Sequence, residues 1–265
     1  MYCQNTYDLG WMKVVEKYYP ANYGAPGRRR RKKTLPTPED VKKHNEQLRI
    51  RKLQMLIAAN FKEGDWHVTL TYRSRDRPSI KESRKILHSF FARMRRAYRK
   101  EGMEFKWICV TETTRDGTPH HHLVIQDLPG HNTISLIREK WPYSNKVFCS
   151  SLDPDIESTE KGGADSENDH GEYYGLADYL QKKESKGKIE EEDLEDGKKW
   201  SCRYSHSRNL IIPEPKREVI YRTRWVRIPK PEKGWYVSSL TNGINAYTQQ
   251  PYQRYILRKL QRNRP

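Results

Sequence analysis

The chain has 265 residues but few of the features that would assign it to a common class. It has only four cysteines, Cys3, Cys109, Cys149 and Cys202, and no CxxC pair among them. That spacing excludes a zinc ribbon and fits a reducing compartment better than a disulfide scaffold. No run of about 18 apolar residues occurs, so no membrane-spanning helix is expected. Met1–Gly10 lacks the basic-then-apolar pattern of a secretory leader. There is no GxxxxGK[ST] phosphate loop, hence no appended helicase, and no internal repeat. Hydrophobic residues make up only 34% of the chain and charged residues 32%, so the core must be concentrated in a few segments.

What the chain has in excess is positive charge. Lys and Arg number 51 against 34 Asp and Glu, a net charge of +17. With aromatics interleaved, such an excess points to nucleic acid. Residues 1–36 read as a flexible arm in which tyrosines precede six consecutive cations, Arg28 to Lys33. An arm of this kind would track phosphates without sequence preference. Residues 37–200 read as the main domain with its leading helix. Residues 201–265, rich in Arg, Tyr and Trp, read as a C-terminal extension packing on that domain, with an edge strand within 218–228.

Within the main domain, Thr37-Pro38-Glu39-Asp40 opens a helix running to about Ala59. Asp65 to Tyr72 is a strand, rich in β-branched and aromatic residues. Ser79-x-x-Glu82 is a capping box that starts a helix to about Lys100, with Leu87, Phe90, Phe91, Met94 and Tyr98 on one face. Phe105–Thr113 and His120–Gln126 are strands. A helix over about 133–140, a strand over 146–151 and a helix over about 172–183 complete the pattern.

The chemistry is concentrated between Glu112 and His122. In a strand, residues i and i+2 share a face, so His120 and His122 aim two imidazoles at one point. Taken alone, such a pair is as common on plain surfaces and in cores. Glu112 on the preceding strand completes a three-ligand set only in one register. A two-residue Asp116-Gly117 turn pairs Glu112 with His121, the wrong face. A three-residue loop, Arg115-Asp116-Gly117, pairs it with His120, and that loop wants glycine at its third position. The sequence supplies Gly117, and the bulged loop is predicted. Cys109 then falls on the opposite face.

Further on, Tyr179 and Lys182 are three apart and share a helical face. A phenol is a poor nucleophile near neutral pH unless a cation stabilises its anion. Tyr173, Leu176, Tyr179 and Leu180 also fit a simple packing stripe.

Taken together these segments resemble the HUH endonuclease superfamily, in particular the rolling-circle replication initiators of bacterial plasmids, phages and integrated mobile elements. Trp66-His67-Val68-Thr69-Leu70-Thr71-Tyr72 looks like the first family motif. Pro119-His120-His121-His122-Leu123-Val124-Ile125 looks like the second. Tyr179-Leu180-Gln181-Lys182 looks like the third. The likeness covers about residues 60–185; Asn60–Asp65 and Ser207–Leu210 look like flanking features. His121 departs from the family, which has an apolar residue there, and is tolerable if its face meets solvent or DNA. Two-tyrosine members carry a tyrosine where Gly175 stands, so a single-tyrosine enzyme is implied, with Tyr173 and Tyr174 in reserve.

The resemblance implies an α+β fold: a central antiparallel, ferredoxin- or RRM-like sheet flanked by helices, with the histidine hairpin at its centre. It implies a divalent ion, Mg or Mn, on Glu112, His120 and His122, and Tyr179 as the nucleophile on single-stranded DNA at an origin hairpin. Lys182 would stabilise the phenolate. A host helicase and replisome in a bacterial cytoplasm are the implied partners and place. The rival readings are an HUH transposase or conjugative relaxase with the same chemistry, and a non-enzymatic RRM-like nucleic-acid binder. A zinc-dependent regulator is disfavoured by the cysteine spacing.

Overall fold

The computed structural model describes residues 1–20, 23–27, 36–114, 117–144, 146–154, 171–181, 204–245 and 248–260. The protein is of α+β class, with two antiparallel five-stranded sheets and four helices among the described residues. The chain divides into two compact units. The first is Met1–Ala59, Asp155–Gly175 and Ile212–Pro265; the second is Asn60–Pro154 and Leu176–Ile211. None of the described helices is long and apolar enough to cross a membrane.

The first unit has strands where an arm was expected. Residues 1–18 supply β1 (Tyr2–Asp8) and β2 (Met12–Tyr18), and helix α1 (Pro38–Asn60) follows. The six cations at 28–33 lie outside the described residues. From the other end of the chain come β8 (Lys216–Ile220), β9 (Trp235–Ile244) and β10 (Pro251–Lys259). The sheet order is β8-β1-β2-β10-β9, so β2 is central and β8 is an edge strand. Local reading could not find β2, because its partner β10 lies at the far end of the chain. The sheet also regroups the segments: α1 falls with the terminal segments rather than with residues 60–154.

Many aromatics of the C-terminal tail are spent on packing here. Trp225 stacks on Tyr19 at 4.8 Å and meets Tyr2 edge-on at 5.1 Å. Lys13 lies over Trp235 and Lys17 over Tyr255, so two cations also serve this sheet rather than a ligand. On α1, buried Gln54 donates to the Glu172 carbonyl at 2.9 Å and accepts from Arg254 of β10 at 3.1 Å. One amide thereby fixes helix, strand and the turn at Glu172.

The second unit contains β3 (Trp66–Leu70), α2 (Ile80–Lys100), β4 (Trp107–Thr113), β5 (Pro119–Ile125), α3 (Thr133–Lys140), β6 (Val147–Ser151) and β7 (Ser205–His206). Helix α4 (Tyr174–Gln181) runs into it. The strand order is β6-β3-β5-β4-β7, which places the histidine strand β5 at the centre. The capping box forms as read: Glu82 N–H donates to Ser79 Oγ at 3.2 Å and Ser79 N–H to Glu82 Oε2 at 2.9 Å.

One face of this sheet is the core. Leu87, Phe90, Phe91, Met94 and Tyr98 of α2 pack on Val68, Leu70, Cys109, Leu123 and Ile125, with Ile137 and Trp141 beside them. Phe91 lies flat on Trp107, ring centroids 3.8 Å apart. Because side chains alternate across a strand, burying Cys109, Leu123 and Ile125 on this face sends Val110, Glu112, His120 and His122 to the other. The flanking segments close the unit: Asn60 exchanges two hydrogen bonds with the Ile211 backbone, at 2.7 and 2.8 Å.

Candidate functional site

The β4–β5 hairpin decides the site. Thr114 N–H donates to the Thr118 carbonyl at 2.9 Å, and Gly117 N–H to the Thr114 carbonyl at 3.0 Å. Gly117 has φ of +77°, the left-handed conformation that closes a three-residue loop. Arg115 and Asp116 lie outside the described residues. Glu112 is consequently opposite His120, and Val110 opposite His122. This is the bulged register, and it brings Glu112, His120 and His122 to one face.

There the two imidazoles approach a single carboxylate oxygen. His120 Nε2 is 3.4 Å and His122 Nε2 is 3.6 Å from Glu112 Oε2. One donor atom from each of the three residues lies within 4.8 Å of the others. Glu112 and His122 are buried and His120 is half-buried. His122 Nε2 and His120 Nδ1 are buried without a hydrogen bond. Buried imidazole nitrogens left unsatisfied beside a carboxylate are what a cation would satisfy. The spacing agrees as well, since neighbouring ligands at bonds of about 2.1 Å stand about 3.0–3.4 Å apart. The group fits a divalent metal ion, and its chemistry does not select which.

Two residues on β3 complete the cluster, and the sequence reading gave neither a role. Thr69 is opposite His122, with its Oγ1 3.1 Å from His122 Nδ1. When Nδ1–H donates to that hydroxyl, Nε2 turns its lone pair to the carboxylate. His67, two residues earlier on the same face, lies nearly parallel to His122, ring centroids 5.8 Å apart. Burial, with His122 next to it, holds the His67 pKa down at about 4, so its ring is neutral. The signal was present in the alternation His67-x-Thr69, which mirrors His120-x-His122.

Helix α4 supplies the tyrosine. Leu176, Ala177 and Leu180 are buried, while Tyr179 is 49% exposed. Both readings of the stripe hold: leucines at i and i+4 anchor the helix, and Tyr179 is turned off that face. Its ring edge meets His122 at 5.2 Å and His67 at 6.0 Å. Burial, and then the Glu112 carboxylate, push its pKa up. The cluster without a cation therefore opposes ionisation of this phenol, and a bound cation would invert that field. Of the reserve tyrosines, Tyr173 is fully buried and packs edge-on against Trp11 in the first unit. Lys182 lies outside the described residues.

His121 corrects one expectation. Its face meets the core rather than solvent. The ring is fully buried, with Nε2 2.9 Å from Tyr72 Oη and Nδ1 2.9 Å from Thr111 Oγ1. A polar residue is tolerated there because both nitrogens have partners. Burial, with His120 and His122 on either side, holds its pKa at about 3.

Residues 65–188 match the family of replication-associated proteins of the ORF2 type. The matched stretch contains Glu112, His120, His122 and Tyr179, and also His67 and Thr69. Neither a curated protein nor a solved structure matches the chain. The family match, with the metal-ready Glu/His/His group inside it, points to replication initiation in general.

Proposed function

We propose that this protein initiates rolling-circle replication by nicking and rejoining single-stranded DNA through Tyr179. One observation carries the reading: within the stretch matched by the replication-associated family, the only described tyrosine ring touching His122 belongs to Tyr179, and it is half exposed. Glu112, His120 and His122 are the residues that would hold Mg or Mn. Such an ion, when bound, supplies Lewis-acid polarisation of the scissile phosphate.

The protein's own groups do the rest. Tyr179 Oη forms a bond to phosphorus as the P–O3′ bond breaks. The phenol proton leaves to solvent, and the departing 3′ oxygen takes one up. The products are a 5′-phosphotyrosine and a free 3′-OH, which primes synthesis; the reverse steps rejoin the strand. Thr69 keeps His122 in its metal-facing orientation. Lys182, one helical turn beyond Tyr179, would stabilise the phenolate. The DNA is an origin hairpin, with a host helicase and replisome acting after the nick.

The test is covalent capture. Labelled single-stranded DNA carrying candidate origin hairpins is incubated with the protein and Mn, with and without chelator. A chelator-sensitive protein–DNA adduct that is lost in Tyr179→Phe establishes both chemistry and nucleophile. An adduct surviving in Tyr179→Phe moves the nucleophile to Tyr174 or Tyr173. Absence of any adduct on origin-bearing DNA overturns the reading in favour of a binding protein.

A further inference from the structure

Beyond β3 the sheet continues to β6, and the register places Phe148 opposite Thr69, which is itself opposite His122. Phe148, Thr69 and His122 thus form one cross-strand row on the metal-facing side. Phe148 ends that row 59% exposed, although it is a large apolar ring on a structured strand. The next row pairs His67 with Ser150. Phe148, Thr69, His67 and Ser150, with Arg138 of α3, line a cavity of about 430 Å³. Arg138 is exposed and makes no ion pair among the described residues.

We propose that Phe148 is a stacking platform for a nucleobase of single-stranded DNA next to the scissile phosphate, and that Arg138 engages a flanking phosphate. The inference rests on the nicking reading for which phosphate is scissile. The ring is two strands, about 10 Å, from His122, a distance one nucleotide spans. Aromatic rings on a sheet with cations at hand form the usual platform for unpaired bases, and stacking tolerates any sequence because every base has a π-face. The chain's net charge of +17 complements the backbone such a base would bring. A peptide adding to the open edge of β6 would use backbone groups and would need neither the ring nor the guanidinium.

The test uses the full chain in chelator, so that binding is read without cleavage. The probes are a labelled oligothymidylate, the same length of abasic deoxyribose-phosphate chain, and a duplex. Phe148→Ala is expected to weaken oligothymidylate binding about ten-fold, with Phe148→Tyr restoring it, and to leave abasic binding unchanged. Arg138→Gln should weaken both single-stranded probes. Tryptophan emission gained in Phe148→Trp should be quenched by oligothymidylate and not by the abasic chain. Equal binding by wild type and Phe148→Ala, an equal penalty on the abasic chain, or a Phe148-dependent preference for duplex would each overturn the proposal. Covalent capture separates the two readings. An adduct with Phe148-independent binding removes the platform and keeps the nickase. Phe148-dependent binding with no adduct removes the nickase and keeps a base-stacking surface.

Discussion

Thr69 Oγ1 lies 3.1 Å from His122 Nδ1, across the pair of strands at the centre of the second unit's sheet. The hydroxyl acts on the metal-facing nitrogen from the far side of the ring. Thr69→Val keeps the shape and removes the partner. Titration with Mn should show affinity falling about 10- to 100-fold, and Thr69→Ser should recover most of it. Unchanged affinity in Thr69→Val would mean that packing alone orients His122.

Glu112 offers a check that needs no DNA. A ligand that binds only the folded state stabilises it by about 2.7 kcal/mol at a hundred times its dissociation constant. Thermal unfolding of the wild type should therefore shift upward with Mn. In Glu112→Gln that shift should vanish, as it should with excess chelator. A persistent shift in the variant would place the ion elsewhere.

His121 predicts acid sensitivity. Its pKa in the fold, about 3, lies below the ordinary value near 6.5, because burial disfavours the charged ring. The unfolded chain thus binds a proton that the folded chain refuses. Stability from this residue is complete above about pH 6.5 and is lost as pH falls toward 3, at about 1.4 kcal/mol per pH unit. His67, also held down, adds to the slope from about 6.5 to 4. Denaturant melts across this range should show the slope reduced by one proton in His121→Gln. An identical slope in the variant would mean that His121 is protonated in the folded protein.

Gly117 should be costly to replace even though a Cβ there would meet nothing within 4 Å. The cost is conformational, because φ of +77° suits few L-residues. Gly117→Ala should lose about 1–2 kcal/mol, read by denaturant unfolding. It should also weaken Mn binding, since the loop sets the register that pairs Glu112 with His120. Loss of stability with full Mn affinity would show that the register survives without the glycine.

The second unit was legible because its information is local. The Ser79–Glu82 box, the α2 stripe and the Gly117 turn each lie within a few residues of what they organise, and strand alternation then fixes which histidines meet Glu112. The same alternation carried Thr69 and His67, but reading them required knowing that β3 is the neighbour of β5. His121 was misread because its partners, Tyr72 and Thr111, come from outside its own strand. The terminal sheet was invisible for a stronger version of that reason. Lys13-Val14-Val15-Glu16-Lys17 looks like a polar tail until Tyr252–Arg258 is laid beside it.

That last pairing has a consequence for biogenesis. A ribosome releases Met12–Tyr18 near the start of synthesis and Pro251–Lys259 near its finish. The middle strand of the terminal sheet therefore waits with one edge open while every strand of the second unit emerges. The nascent chain can assemble the Glu112/His120/His122 hairpin before its own terminal sheet exists. Stalled or shortened products would then display that formed cluster together with an unpaired β1–β2 hairpin, a template for aggregation through its free edge.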